Sequence, residues 1–215
     1  MRATTSPRAA LITDTAITLV VERGLRGLTH RAVDEAAGLP LGSTSNFART
    51  RAALLASTLN RIAELEALEY HVAAADRPPI PDGTPPGAQL AMLSSMGLHA
   101  ALTTGRHLTL ARVELALEAN RRPELRTLYD ALGAQFAAAA AGLFAQAGST
   151  DAAADAKRLI RWCEGVVFHS VAGAGFRHTP SAAELHSEAD HYIAALLRPA
   201  EREKEAEPAA TRKLS

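Results

Sequence analysis

An all-helical fold follows from three observations on this 215-residue chain. Hydrophobic residues make up 47% of it but aromatics only 4%, a balance that suits closely packed, alanine-rich helices better than sheets. Apolar residues recur three and four positions apart through most of the chain, the period of a helix that buries one face. Period-two runs of β-branched and aromatic residues are missing, so no segment reads as a half-buried strand. The length permits one large or two small domains.

The first seven residues read as an arm. From Arg8 to Arg23, Leu11, Ile12, Ala16, Leu19 and Val20 keep helical spacing, with Gly24 placed to stop the helix. Thr29 suits the N-cap of a second helix ending at Ala36 or Ala37, with Ala32, Val33 and Ala36 facing inward. Gly38 supplies a left-handed turn residue, and Pro40 fits the first turn of a third helix that ends near Phe47. Thr50 caps a fourth helix from Arg51 towards Ala75, buried along Leu54, Leu55, Leu59, Ile62 and Leu65.

Residues 77–87, "RPPIPDGTPPG", hold five prolines and mark the clearest break in the chain. Helices are expected beyond it at 88–104, 106–121 and 123–148. Leu125, Leu128, Leu132, Phe136, Leu143 and Phe144 trace one face of the longest. Asp151 to Phe176 reads as another helix, and Ser181 with Glu184 forms a capping box for the last. The tail from 199 to 215 has no apolar period. The units so defined are 1–50, a connecting helix 51–76, the 77–87 loop, 88–198 and the tail, about nine helices in all.

Charge and cysteine content narrow the function. Net charge is zero, yet residues 1–60 carry seven arginines against four acids, while the remainder carries 16 basic and 19 acidic residues. A basic N-terminal third suits a polyanionic partner. A single cysteine, Cys163, fits a reducing cytoplasm, and buried among apolar residues it would be inert. The N-terminus lacks a signal-peptide layout, and the charge-free stretches 83–105 and 131–150 lack the Leu, Ile, Val and Phe density of a spanning helix. No membrane partner is expected.

Thr29 to Phe47 has the length and layout of a helix-turn-helix: two short helices joined by a tight glycine-bearing turn. Its second helix would enter a DNA major groove, where side chains must be short enough to permit approach and polar enough to bond phosphates and base edges. Leu41, Gly42, Ser43, Thr44, Ser45 and Asn46 meet that description. Asn46 can address adenine or a phosphate. Phe47 packs on the first helix or lies along the DNA backbone, and Arg49 and Arg51 follow where the chain would pass phosphates. Thr29 and Arg31 add contacts at the start of the second helix. A Gly-Ser-Thr stretch taken alone is more often a solvated loop.

Residues 9–55 resemble the N-terminal domain of the TetR family of bacterial transcription regulators. Glu22-Arg23-Gly24, Thr29, Ala37-Gly38, Gly42, Arg51 and Leu54-Leu55 stand at that family's marker places. The "GSTSN" segment and "TLARVELALEANRRPELRTLYD" are similar to an actinobacterial-type subgroup. Three places depart: Ser45 stands where the family usually has tyrosine, and Ala48 where it has a packing phenylalanine. Pro40 replaces the common serine cap.

The resemblance implies a ligand-responsive homodimer, most simply a repressor, reading two half-sites of a palindromic operator. The last two helices would form the contact across the two-fold axis. Gly165, Val166, Ala172 and Gly173 suit close approach, and Leu185, Tyr192, Ile193 and Leu196 supply apolar area; packing within one chain competes for each. A small-molecule cavity is implied as well. Its candidate walls are Met92, Met96, His107, Glu114, Glu118, Phe136, Trp162 and His169, with core packing, or pairing of the two glutamates with Arg112, Arg121 or Arg122, as the competing reading.

Two alternatives remain. One is a helical small-molecule binder whose DNA reading is weakened by Ser45 and Ala48. The other is a helical metalloenzyme: Glu188-x-x-His191 is half of a di-iron signature, but no second pair exists in the sequence, and pairs within the last helix explain these residues. No phosphate-binding loop or nucleophile elbow appears, so neither a cofactor nor an enzymatic activity is expected.

Overall fold

The computed structural model describes residues 6–75, 81 and 83–198. Residues 1–5 of the expected arm, 77–80 and 82 of the proline-rich loop, and the 199–215 tail lie outside the described residues. The described residues form helices and turns without strands: α1 Pro7–Gly27, α2 His30–Ala36, α3 Ser43–Phe47, α4 Arg51–Ala75, α5 Pro86–Leu102, α6 Arg106–Ala119, α7 Pro123–Gln146, α8 Ala152–Val171 and α9 Ala182–Leu197.

The caps explain most boundaries. Ser6, Thr29, Thr50 and Asp151 each accept a backbone N–H three residues on, in front of α1, α2, α4 and α8. Ser181 and Glu184 form the expected capping box before α9. Gly24 breaks the helix where expected, with φ 63° and ψ 179°, and one short helical turn to Gly27 follows the kink. One boundary differs from expectation. Helix α8 ends at Val171 rather than Phe176, where Gly173 and Gly175 fold the chain back onto Phe168 and His169 carbonyls.

One core ties the N-terminal helices to the rest. Ile12, Ile17, Leu28, Val33, Leu54 and Leu59 pack with Leu108 and Leu115 of α6 and Leu125 of α7. Full burial of such a side chain stabilises by about 1.5–3 kcal/mol, so this junction is a packed joint, not a loose tether. A second cluster joins Leu90, Phe144, Leu159 and Ile193, and a third joins Leu98, Leu102, Val167, Val171 and Leu185. Both lie among α5, α7, α8 and α9. Leu185 and Ile193, expected between two copies, are therefore spent inside one chain, because the inward stripe of α9 packs on α5.

Among the described residues, α7 alone is long and apolar enough to cross a membrane by length and composition, with mean hydropathy 1.2. Leu125, Ala140 and Phe144 tie it into the bundle, and an Arg126–Asp130 ion pair sits on its first half.

Candidate nucleic-acid interface

The α2–α3 corner is built by a carboxylate. After α2 the chain turns at Gly38, φ 63°, and the Leu39 N–H returns to the Asp34 carbonyl at 2.9 Å. Pro40 and Leu41 then form a turn, not the first turn of α3 as expected. The third helix starts at Ser43 behind Gly42, whose φ of 90° no L side chain adopts readily. Glycine has no side chain to cap with, and Asp34 substitutes. Its Oδ2 accepts the Gly42 N–H at 2.7 Å; its Oδ1 accepts the Thr44 N–H at 2.8 Å and the Thr44 hydroxyl at 2.6 Å. Burial pushes the Asp34 carboxyl pKa up, but these hydrogen bonds and the nearby His30 outweigh it and hold the pKa below the ordinary carboxylate value.

This capping divides the expected DNA contacts into two sets. Leu41 is 76% and Phe47 40% exposed, and Ser45, Asn46 and Arg49 also face solvent. Thr29 is exposed but serves as the α2 cap, and Arg31 is exposed and paired with Glu35 at 2.7 Å. Thr44, Ser43 and Arg51 turn inward instead. Thr44 is fully buried against Asp34. Ser43 is buried too, donating to the Pro40 carbonyl at 2.5 Å and accepting from Arg8 Nη2 at 2.7 Å. Arg51 turns inward and donates to the carbonyls of Leu25, at 2.5 Å, and Leu28. Those carbonyls end α1, so Arg51 closes the corner between α1 and α2 and is not presented to phosphates. Ala48 is buried in the first core, and its carbonyl meets His30 Nε2 at 2.7 Å.

Asp34 and Arg8 went unassigned from the sequence. Among His30, Arg31 and Glu35 nothing in the α2 sequence marks Asp34, whose bonds reach eight and ten positions on, and the Arg8 contact spans 35.

The expected ligand residues do not converge. His107 and Glu114 lie exposed on α6, Phe136 is 64% exposed on α7, and Glu118 is held by Arg122 at 2.6 Å and Arg121 at 3.6 Å. Met92 and Met96 are half-buried on α5. Helical spacing shows which residues share a face, not what that face meets. Only Trp162 and His169 share a groove, of about 510 Å³, between α8 and α9. Gly165 and Val166 line it too, and Tyr192 stacks on Trp162 at 5.5 Å between ring centres. Leu196 is half-buried, as is Gly173, and Ala172 is exposed. Burial pushes the Cys163 thiol up to about 12, so it stays protonated. Among the described residues no three His, Cys, Asp or Glu side chains come together as a metal site, and Glu188 and His191 are exposed on α9.

Residues 86–199 match the model of a family described as tetracyclin repressor-like, C-terminal domain. The chain belongs to the TetR family of transcriptional regulators. Solved TetR-family structures agree in fold. A transcriptional regulator from Rhodococcus sp. Rha1 superposes with TM-score 0.71 at 16% identity, over 88% of this chain and 95% of that one. A TetR-family member from Streptomyces coelicolor A3 gives 0.67 at 27% identity, over 90% and 99%. The multidrug binding protein EbrR, complexed with imidazole, gives 0.64 at 27% identity, over 91% and 98%. No curated protein matches the chain in sequence. TetR membership makes this chain a transcriptional regulator and not an enzyme.

Proposed function

We infer that the protein is a ligand-responsive repressor that binds a pseudo-palindromic operator as a homodimer. The observation that carries this reading is the outward face of α3, where Ser45, Asn46, Phe47 and Arg49 are exposed on a helix held by Asp34. Two such helices must be placed one or more duplex turns apart, about 34 Å each, which requires a second copy. The outer face of α8 supports that contact: Gly165 and Phe168 are exposed three residues apart, with Phe168 56% accessible, and the C-cap residue Ala172 is exposed just beyond them. The working units are the reader over 1–50, the connecting helix 51–76 and the 88–198 body. The protein works in the compartment that holds its DNA, the cytoplasm.

An effector binding the body shifts operator affinity only if it prefers one arrangement of the two readers. The packed contact of α6 with α1 and α4 supplies a route. EbrR, solved with ethidium and with proflavin, supports a small-molecule effector, which would take no part in chemistry. The test is capture of genomic fragments by the purified protein, followed by sequencing. A shared imperfect inverted repeat is expected, along with the mass of two chains in light scattering. Fragments without a common repeat, or a single-chain mass at micromolar concentration, would overturn the reading.

A further inference from the structure

We propose that Arg8 is a second anchor of the reader, one that fixes the start of α3 and binds a backbone phosphate of the operator beside it. The proposal rests on the DNA-binding reading above. Arg8 is the second residue of α1, exposed, and without an acidic partner among the described residues. One of its N–H groups is spent on the Ser43 hydroxyl at 2.7 Å. Guanidinium carries five such donors in a planar fork, so most remain for an anion.

The surroundings suit a phosphodiester. A groove of about 280 Å³ runs between the start of α1 and α3, lined by Ser6, Arg8 and Ile12 on one side and Ser43, Asn46 and Phe47 on the other. Ser43 and Asn46 are three residues apart, hence neighbours on one helix face. A phosphate on Arg8 therefore sits one helical step from the amide of Asn46, with the Phe47 ring alongside. Asp34 fixes α3 from the α2 side and Arg8 from the α1 side, so the phosphate contact sets the register in which Asn46 meets the groove edge. Contacts of this kind position a reader without themselves reading sequence.

The experiment uses the full chain and the operator duplex recovered by fragment capture, comparing the parent with Arg8→Ala, Arg8→Lys and Ser43→Ala. Arg8→Ala is expected to weaken operator binding roughly tenfold and to lower the slope of log affinity against log salt by about 0.9, the value for one phosphate contact. Arg8→Lys keeps the slope, and Ser43→Ala keeps it while losing affinity. A single neutral methylphosphonate at the flanking position weakens the parent and leaves Arg8→Ala unaffected. An unchanged slope in Arg8→Ala, or equal methylphosphonate sensitivity in parent and variant, overturns the phosphate contact even if affinity falls. A parent that captures no duplex overturns the DNA-binding reading as well, so the two failures are distinguishable.

Discussion

Asp34 of α2 and Thr44 of α3 share two hydrogen bonds, at 2.8 Å to the backbone N–H and 2.6 Å to the hydroxyl, and both residues are buried. A five-residue helix cannot hold itself, since helices this short are marginal in water. The geometry of the reader therefore depends on this pair and on the Gly42 N–H beside it. Asp34→Ala leaves three donors without their acceptor and should destabilise the protein by about 2–3 kcal/mol. Thr44→Val removes one bond and should lose about 1 kcal/mol. Urea unfolding measures both, and a neutral Asp34→Ala would show that α3 is held by something else.

Acid should weaken the same joint. Asp34 has a folded-state pKa below its ordinary value, as argued above. So does Glu118, through its hydrogen bond from Arg122 first, against burial, with help from the charges of Arg122, Arg121 and Arg51. A carboxyl whose folded pKa is depressed stabilises fully above its unfolded pKa and loses that contribution as pH falls through the folded value. Stability should hold from neutral pH down to about 5 and decline below about 4. Asp34→Asn should flatten the decline; parallel curves for parent and variant would remove Asp34 from the account.

Arg49 and Arg51 are two residues apart and should behave differently. Arg49→Ala should weaken operator binding and reduce its salt dependence, the behaviour of a phosphate contact. Arg51→Ala should instead lower stability by about 2 kcal/mol, because the Leu25 and Leu28 carbonyls lose a charged donor, and leave the salt slope unchanged. Gel-shift titrations at several salt concentrations, paired with thermal unfolding, separate the two effects. A shallower slope for Arg51→Ala would return it to the DNA surface.

Gly165 offers a test of the two-fold face that spares the single chain. A Cβ added there meets nothing within 4 Å, and replacing a mid-helix glycine improves helix propensity by up to about 1 kcal/mol. Gly165→Leu should leave the folded chain as stable or more so, while light scattering shows dissociation and operator affinity falls. A variant that remains dimeric places the contact elsewhere.

How much of this was legible in the sequence varies by element. Caps at Thr29, Thr50 and Ser181 were readable because each acts over three residues, within the reach of local chemistry. The α3 cap was not, since Asp34 acts across eight and ten positions. Ser43 and Thr44 look like surface groups by type, and only the fold turns them inward. Met92, Glu114 and Phe136 show the same limit: a shared helix face does not reveal its neighbour.

By itself the sequence determined the helical class, the order of the helices and the place of the reader, since periodicity, caps and turn glycines are short-range constraints. Tertiary structure alone decided which side chains of α2 and α3 face outward and which turn inward. It assigned Asp34, Arg51 and Arg8 to holding the reader or meeting its surroundings through contacts between residues eight to 35 positions apart. Hydrogen bonds and burial at that range arise only when separate helices pack, and no local pattern encodes them.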